Sequence, residues 1–215
     1  MNKNNETFLH HVLKTCIKHD IGFNLINKER VDNDGIPTNG TFGEEFAGEN
    51  PVLSVATSKP EKVWVRVLVH EFAHLIQYLR ETDLERKIKR ALFHSGKRDP
   101  ATVYFEWIEA SKRTSKKLLV KSMEIIRNFE REAELIAVQQ IKRWNLPINI
   151  KTYIKQANSY LFWYSATLET EVWYTKKAPY RVKEIFNMMP SKFLKPEEYD
   201  ELPENFLKFC YKYCI

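Results

Sequence analysis

Glu61-Lys62-Val63-Trp64-Val65-Arg66-Val67-Leu68-Val69-His70-Glu71-Phe72-Ala73-His74-Leu75-Ile76-Gln77-Tyr78-Leu79 is the stretch that decides how this chain is read. Val67, Leu68, Val69, Phe72, Ala73, Leu75, Ile76 and Leu79 make it apolar nearly all round, the pattern of a buried helix. Ser58-Lys59-Pro60-Glu61 in front of it reads as a capping box, with the Glu61 side chain reaching back, so a helix is expected over 59–80. On that helix His70 and His74 stand four residues apart and share a face. Two imidazole nitrogens at about 2.0–2.1 Å can hold Zn²⁺. Glu71 then lies beside the metal, able to take a proton from its water. The plainer alternative is a core helix whose histidines only hydrogen-bond to their neighbours.

The His-Glu-x-x-His pattern at residues 70–74 resembles that of the zincin metallopeptidases. Nothing after His74 reads Gly-x-x-His at the short metzincin spacing. Phe129-Glu130-Arg131-Glu132-Ala133-Glu134-Leu135-Ile136-Ala137 is similar to the Glu-x-x-Ala stretch by which gluzincins, the ImmA/IrrE-like peptidases among them, supply a third ligand from a later helix. The resemblance implies Glu130 as that ligand, Ala133 and Ala137 as small residues that let two helices approach, and Glu134 as the acceptor that orients a ligating histidine. It also implies an oxyanion-stabilising side chain, for which His94, Tyr160 and Tyr164 are the nominees. A solvated charged face with i, i+4 pairs is the plainer reading of Glu-Arg-Glu, and Glu134 and Glu184 stay open as alternative ligands.

The expected architecture is α+β: one predominantly helical, zincin-like domain of 215 residues with a small N-terminal sheet before the active-site helix. Phe8, Leu9, Val12, Leu13, Cys16 and Ile17 recur at helical spacing and predict a first helix over 7–19. His10, His11 and His19 on it are read as surface or helix-end residues without a role. The turn pairs around Asn33-Asp34-Gly35, Asn39-Gly40 and Asn50-Pro51 divide 22–57 into short strands at Gly22–Ile26, Thr41–Phe46 and Val52–Thr57. By the zincin resemblance, Val52–Thr57 is the edge strand that would bind a substrate backbone by strand addition; a plain core strand is the alternative. Helices are expected from Asp99-Pro100 to Lys112, over 116–144 as the glutamate-ligand helix, and through most of 149–215, with one over 151–174. The aromatics of that last helix, Tyr153, Tyr160, Phe162, Trp163, Tyr164, Trp173 and Tyr174, are more economically core than a base-stacking platform.

Composition narrows the function classes. No signal-peptide core opens the chain and no apolar run reaches spanning length, so a cytoplasmic protein without a membrane contact is expected. Cys16, Cys210 and Cys214, an odd number, suit buried thiols better than a disulfide framework. Between Glu85 and Lys121, 11 Lys/Arg face 4 Asp/Glu, a local +7 against +6 for the whole chain. This basic helical insert is able to recruit an acidic partner or nucleic acid, or is simply a solvated face; no nucleic-acid-binding motif accompanies it. The functional expectation is a zinc-dependent endopeptidase acting on a protein or peptide, with His70, His74 and Glu130 as ligands and Glu71 as general base. The alternative is a catalytically idle zincin-like regulatory or binding protein. Glu71 speaks against it, because a purely structural metal needs ligands and no base.

Overall fold

A computed structural model describes residues 1–33, 36–43, 50–80, 100–110 and 112–215. Contacts divide the chain into two compact units, Met1–Arg80 with Ala133–Asn149, and Glu81–Glu132 with Ile150–Ile215. The fold is α+β and mostly helical, with its small sheet in the first unit. Among the described residues no helix is long and apolar enough to cross a membrane.

The first unit opens with helix α1, Lys3–Lys18, which starts four residues before its apolar periodicity because Asn2 caps it, the side chain accepting from Asn4 N at 2.9 Å. Strands β1 (Gly22–Ile26), β4 (Gly40–Gly43) and β5 (Val52–Ala56) form one sheet in the order β1-β5-β4. Strands β2 (Val31–Asn33) and β3 (Ile36–Thr38) pair as a separate hairpin that the turn pattern alone did not reveal as strands. β5 is paired on both sides, parallel to β1 over Val52–Ala56 and antiparallel to β4 over Val52–Val55. It is therefore the central strand and not the edge expected of a substrate-binding strand; a strand whose two rows of backbone groups are both used has none left for a peptide. Helix α2, Glu61–Arg80, carries the His-Glu-x-x-His stretch. Leu68, Val69, Phe72, Ala73 and Leu75 of α2 are buried, as are Phe8, Val12 and Cys16 of α1 and Leu53 and Val55 of β5. The rings of Phe8 and Phe72 meet edge to face at 5.6 Å. His11 is half-buried in the same packing, its ring 4.6 Å from that of Trp144 and 5.6 Å from that of Phe72, where a surface residue was expected.

The second unit holds α3 (Pro100–Ala110), the first half of α4 (Lys116–Arg143), α5 (Ile150–Thr170), α6 (Lys183–Met188) and α7 (Phe206–Tyr213), with 3₁₀ turns at Pro179–Arg181 and Pro196–Tyr199. Leu161, Phe162, Trp163 and Ala166 of α5 pack with Val182, Ile185, Tyr199, Phe206, Cys210 and Cys214. Tyr164 of the same helix joins Tyr104, Ile108, Met123 and Ile126. The α5 aromatics are core, as their spacing suggested. Trp173 and Tyr174 lie past the helix end, because Glu171 turns to a left-handed φ of 56° and stops it. Arg127, 1% exposed, donates through its two terminal nitrogens to Asp200 Oδ1 at 2.7 Å, Ser165 Oγ at 2.6 Å and the Pro196 carbonyl at 3.1 Å, while its Nε is buried without a hydrogen-bond partner. The basic stretch is not continuously helical: 112–115 form a non-helical link, while 85–99 and 111 lie outside the described residues. Lys112, Arg113, Lys116, Lys117 and Lys121 are exposed.

The expected capping box is not formed. The Glu61 carboxylate instead accepts from Asn2 N at 2.9 Å and from Asn5 Nδ2 at 2.6 Å. The reason is electrostatic: the N-terminus of α1 has unsatisfied N–H groups and a positive dipole end, and a carboxylate answers both. The Asn5 amide first, and the Asn2 N–H after it, hold the Glu61 carboxyl below its ordinary 4.5. A lowered folded-state pKa contributes stability above the unfolded value and loses it as pH falls through the lowered one. Glu61→Ala should thus cost about 0.3–1 kcal/mol at neutral pH. In urea melts the gap to wild type should be complete above about pH 4.5 and close at more acid pH; a gap that survives acidification would assign the loss to packing.

Candidate metal centre

Helix geometry alone brings His70 and His74 together, their rings at 4.7 Å between centroids and nearly perpendicular. Which nitrogens converge is set by the other side of each ring. His70 Nδ1 lies 3.3 Å from Glu134 Oε1 of α4, and a carboxylate only accepts. His74 Nδ1 donates to Gln77 Oε1 at 2.9 Å. The Gln77 bond accordingly puts the His74 proton on Nδ1 and leaves Nε2 with its lone pair; the His70–Glu134 approach, at ion-pair distance but without hydrogen-bond geometry, favours the same tautomer for His70. The two Nε2 atoms stand 3.3 Å apart. Two lone pairs facing at that distance repel, whereas nitrogens about 2.0–2.1 Å from one tetrahedral ion stand about 3.3–3.4 Å from each other.

Glu130 completes the group. Ligand atoms of His70, His74 and Glu130 all lie within 4.8 Å of one another, and this is the cluster of three such residues among the described ones able to hold a metal ion. All three side chains are half-buried, so the group is not sealed from solvent. Glu134 Oε2 is buried with no hydrogen-bond partner. A buried carboxylate left half-paired is costly, and a divalent cation behind the His70 ring would offset that cost. Donor set, spacing and tautomers thus fit a divalent ion. Glu130 and Glu134 are one turn apart on α4, with Ala133 and Ala137 of that face fully buried. Glu184, the outside alternative, is engaged elsewhere by Tyr213 Oη at 2.9 Å and is not in the group. Glu132 is not in it either.

Glu71, 8% exposed, follows His70 and faces the sheet. β4 reaches it only because residue 40 is glycine. A methyl group on Gly40 would stand 2.6 Å from Val67 Cγ1, 2.9 Å from Glu71 Cγ and 3.1 Å from Glu71 Oε1. Among the described residues β4 is also an edge of its sheet, being paired to β5 on one side.

Of the oxyanion nominees, His94 lies outside the described residues. The Tyr160 and Tyr164 hydroxyls are 3.2 Å apart. Burial pushes both well above the usual tyrosine range and the Glu130 carboxylate adds to the shift, while the bond between the two hydroxyls lowers Tyr160 and raises Tyr164. Both remain protonated donors on the Glu130 side of α4. Gln77, fully buried, escaped the sequence pattern. Its signal was an amide three residues after a histidine, on a helix whose buried face is mostly apolar.

The Gly40 contacts generate a test. Gly40→Ala needs no forbidden backbone angle, but its methyl would overlap the branched, stiff Val67 side chain and crowd Glu71. It should destabilise by about 1–3 kcal/mol, the ordinary cost of overpacking, read as a lower denaturation midpoint. A neutral outcome would mean that β4 and α2 have slack.

No protein-family model, no curated protein and no solved structure matches the chain, so its chemistry has to be read from the group itself.

Proposed function

We propose that the protein is a zinc-dependent endopeptidase of the zincin type. The observation that carries the reading is the convergence of His70, His74 and Glu130 on one point, with a glutamate in the residue between the two histidines. A zinc ion, when bound, would lower the pKa of a coordinated water to about 7 and polarise a peptide carbonyl. The chain supplies the rest. His70, His74 and Glu130 would hold the ion. The Glu71 carboxylate takes the proton of the attacking water and returns it to the leaving amine, a role worth about 10²–10⁴ in rate. Its burial against Gly40 fixes where that carboxylate stands. The β4 edge, beside Glu71, is where a substrate backbone can lie in extended form.

The donor set separates this reading from the idle, regulatory alternative by experiment. His70→Ala should lose zinc and turnover together, while Glu71→Gln should keep zinc and lose turnover by about 10²–10⁴-fold, since an amide is no base. Glu130→Ala should cost zinc affinity by well over the 10–100-fold typical of residues that only orient a ligand, Glu134→Ala should fall within that range, and Glu132→Ala should leave affinity unchanged. Zinc titration followed by cleavage of a mixed peptide library reads all five. A wild-type chain that binds zinc and cleaves nothing would hand the site to the regulatory alternative.

A further inference from the structure

We infer that Gln77 is the positioning residue for His74, and that its neutrality is what suits it to the place. The inference rests on the metal reading of the site and adds a residue to it. Gln77 has no exposed surface, on a helix whose buried residues are mostly apolar. A buried amide is costly unless its groups are hydrogen-bonded, and its Oε1 spends one acceptor on His74 Nδ1 at 2.9 Å. That bond does two things at once. It keeps the proton off Nε2, and it fixes the rotation of the ring so that Nε2 aims at the point 3.3 Å from its counterpart on His70. His70 faces a carboxylate on that side instead, Glu134 at an ion-pair distance of 3.3 Å without hydrogen-bond geometry.

The two partners differ in charge, and the surroundings explain why. Glu130 and Glu134 already place two carboxylates beside the two rings. A third at position 77 would add repulsion among anions whenever no cation is present, whereas an amide supplies the acceptor and no charge. The sharing of helix α2 matters as well. Gln77 sits three residues after His74 on the same rigid element, so the donor–acceptor geometry is set by the helix itself. The His70 partner belongs to another helix, and its geometry depends on tertiary packing.

The test is a zinc titration against a chromogenic chelator on the full chain, with the visible spectrum of the Co²⁺-loaded protein as a second readout of ligand geometry. Gln77→Leu keeps the bulk and removes the acceptor; it should weaken zinc by about 10–100-fold and alter the Co²⁺ spectrum. Gln77→Glu restores an acceptor of the same shape, and should recover wild-type affinity or better while making the metal-free protein less stable than wild type. If Gln77 only fills space, Leu will bind zinc as wild type does with an unchanged spectrum, and the inference is overturned. Should Gln77→Leu fail to fold, Gln77→Glu still decides: unchanged metal-free stability, or affinity far below wild type, overturns it. Absence of zinc binding by the wild-type chain in the same titration would instead overturn the metal reading, and this inference with it.

Discussion

A neutral imidazole offers an N–H on one side of its ring and a lone pair on the other, so a histidine on a buried helix must find an acceptor and an electrophile at once. His74 meets the first demand with Gln77, and His70 has Glu134 at ion-pair distance on that side. The second falls on a single point, because the helix repeat puts both Nε2 atoms on one side, 3.3 Å apart. Glu130 and Glu134 make sense as answers to that pair of demands. A core without a cation would have done better with leucines at both positions.

What the sequence made legible follows the range of the interactions involved. The α2 helix, the strands Gly22–Ile26 and Val52–Ala56 and the long α4 helix are written in local periodicity, and there the pattern sufficed. Glu130 was legible through its neighbours, the alanines three and seven residues on that fill the same buried face. Failures came where a residue's partner is distant in the chain. Glu61 looks like a local cap, yet its carboxylate serves asparagines 56 and 59 positions away. His11 looks like a surface residue until Trp144 arrives against it. β5 reads equally well as edge or centre, because the sheet order depends on which strands flank it and not on its own residues. Gln77 is a fourth kind of case, adjacent in sequence but decided by a rotamer that no pattern encodes.

Polar burial is spent differently in the second unit. Arg127 has no catalytic neighbour in its own network; its guanidinium ties α4 to Ser165, the Pro196 carbonyl and Asp200. Arg131, one turn on, donates to the Leu194 carbonyl at 2.8 Å. The segment 190–200, which has little regular structure of its own, is thereby held by side chains instead of a backbone ladder. Its order is purchased from α4 and α5, where Asn158 donates to the Pro190 and Lys192 carbonyls.

The three cysteines give each unit its own clock. Cys16 belongs to the first unit, and burial pushes its thiol up to about 11, so the reactive thiolate is scarce as well as hidden. Cys210 and Cys214 belong to the second, both without exposed surface, the Cys210 thiol held protonated by its bond to the Cys214 sulfur. An alkylating reagent therefore meets none of them until the surrounding structure opens. Pulse labelling followed by mass analysis of the peptides would date the opening of the two units separately in one sample, without a mutation or an added probe.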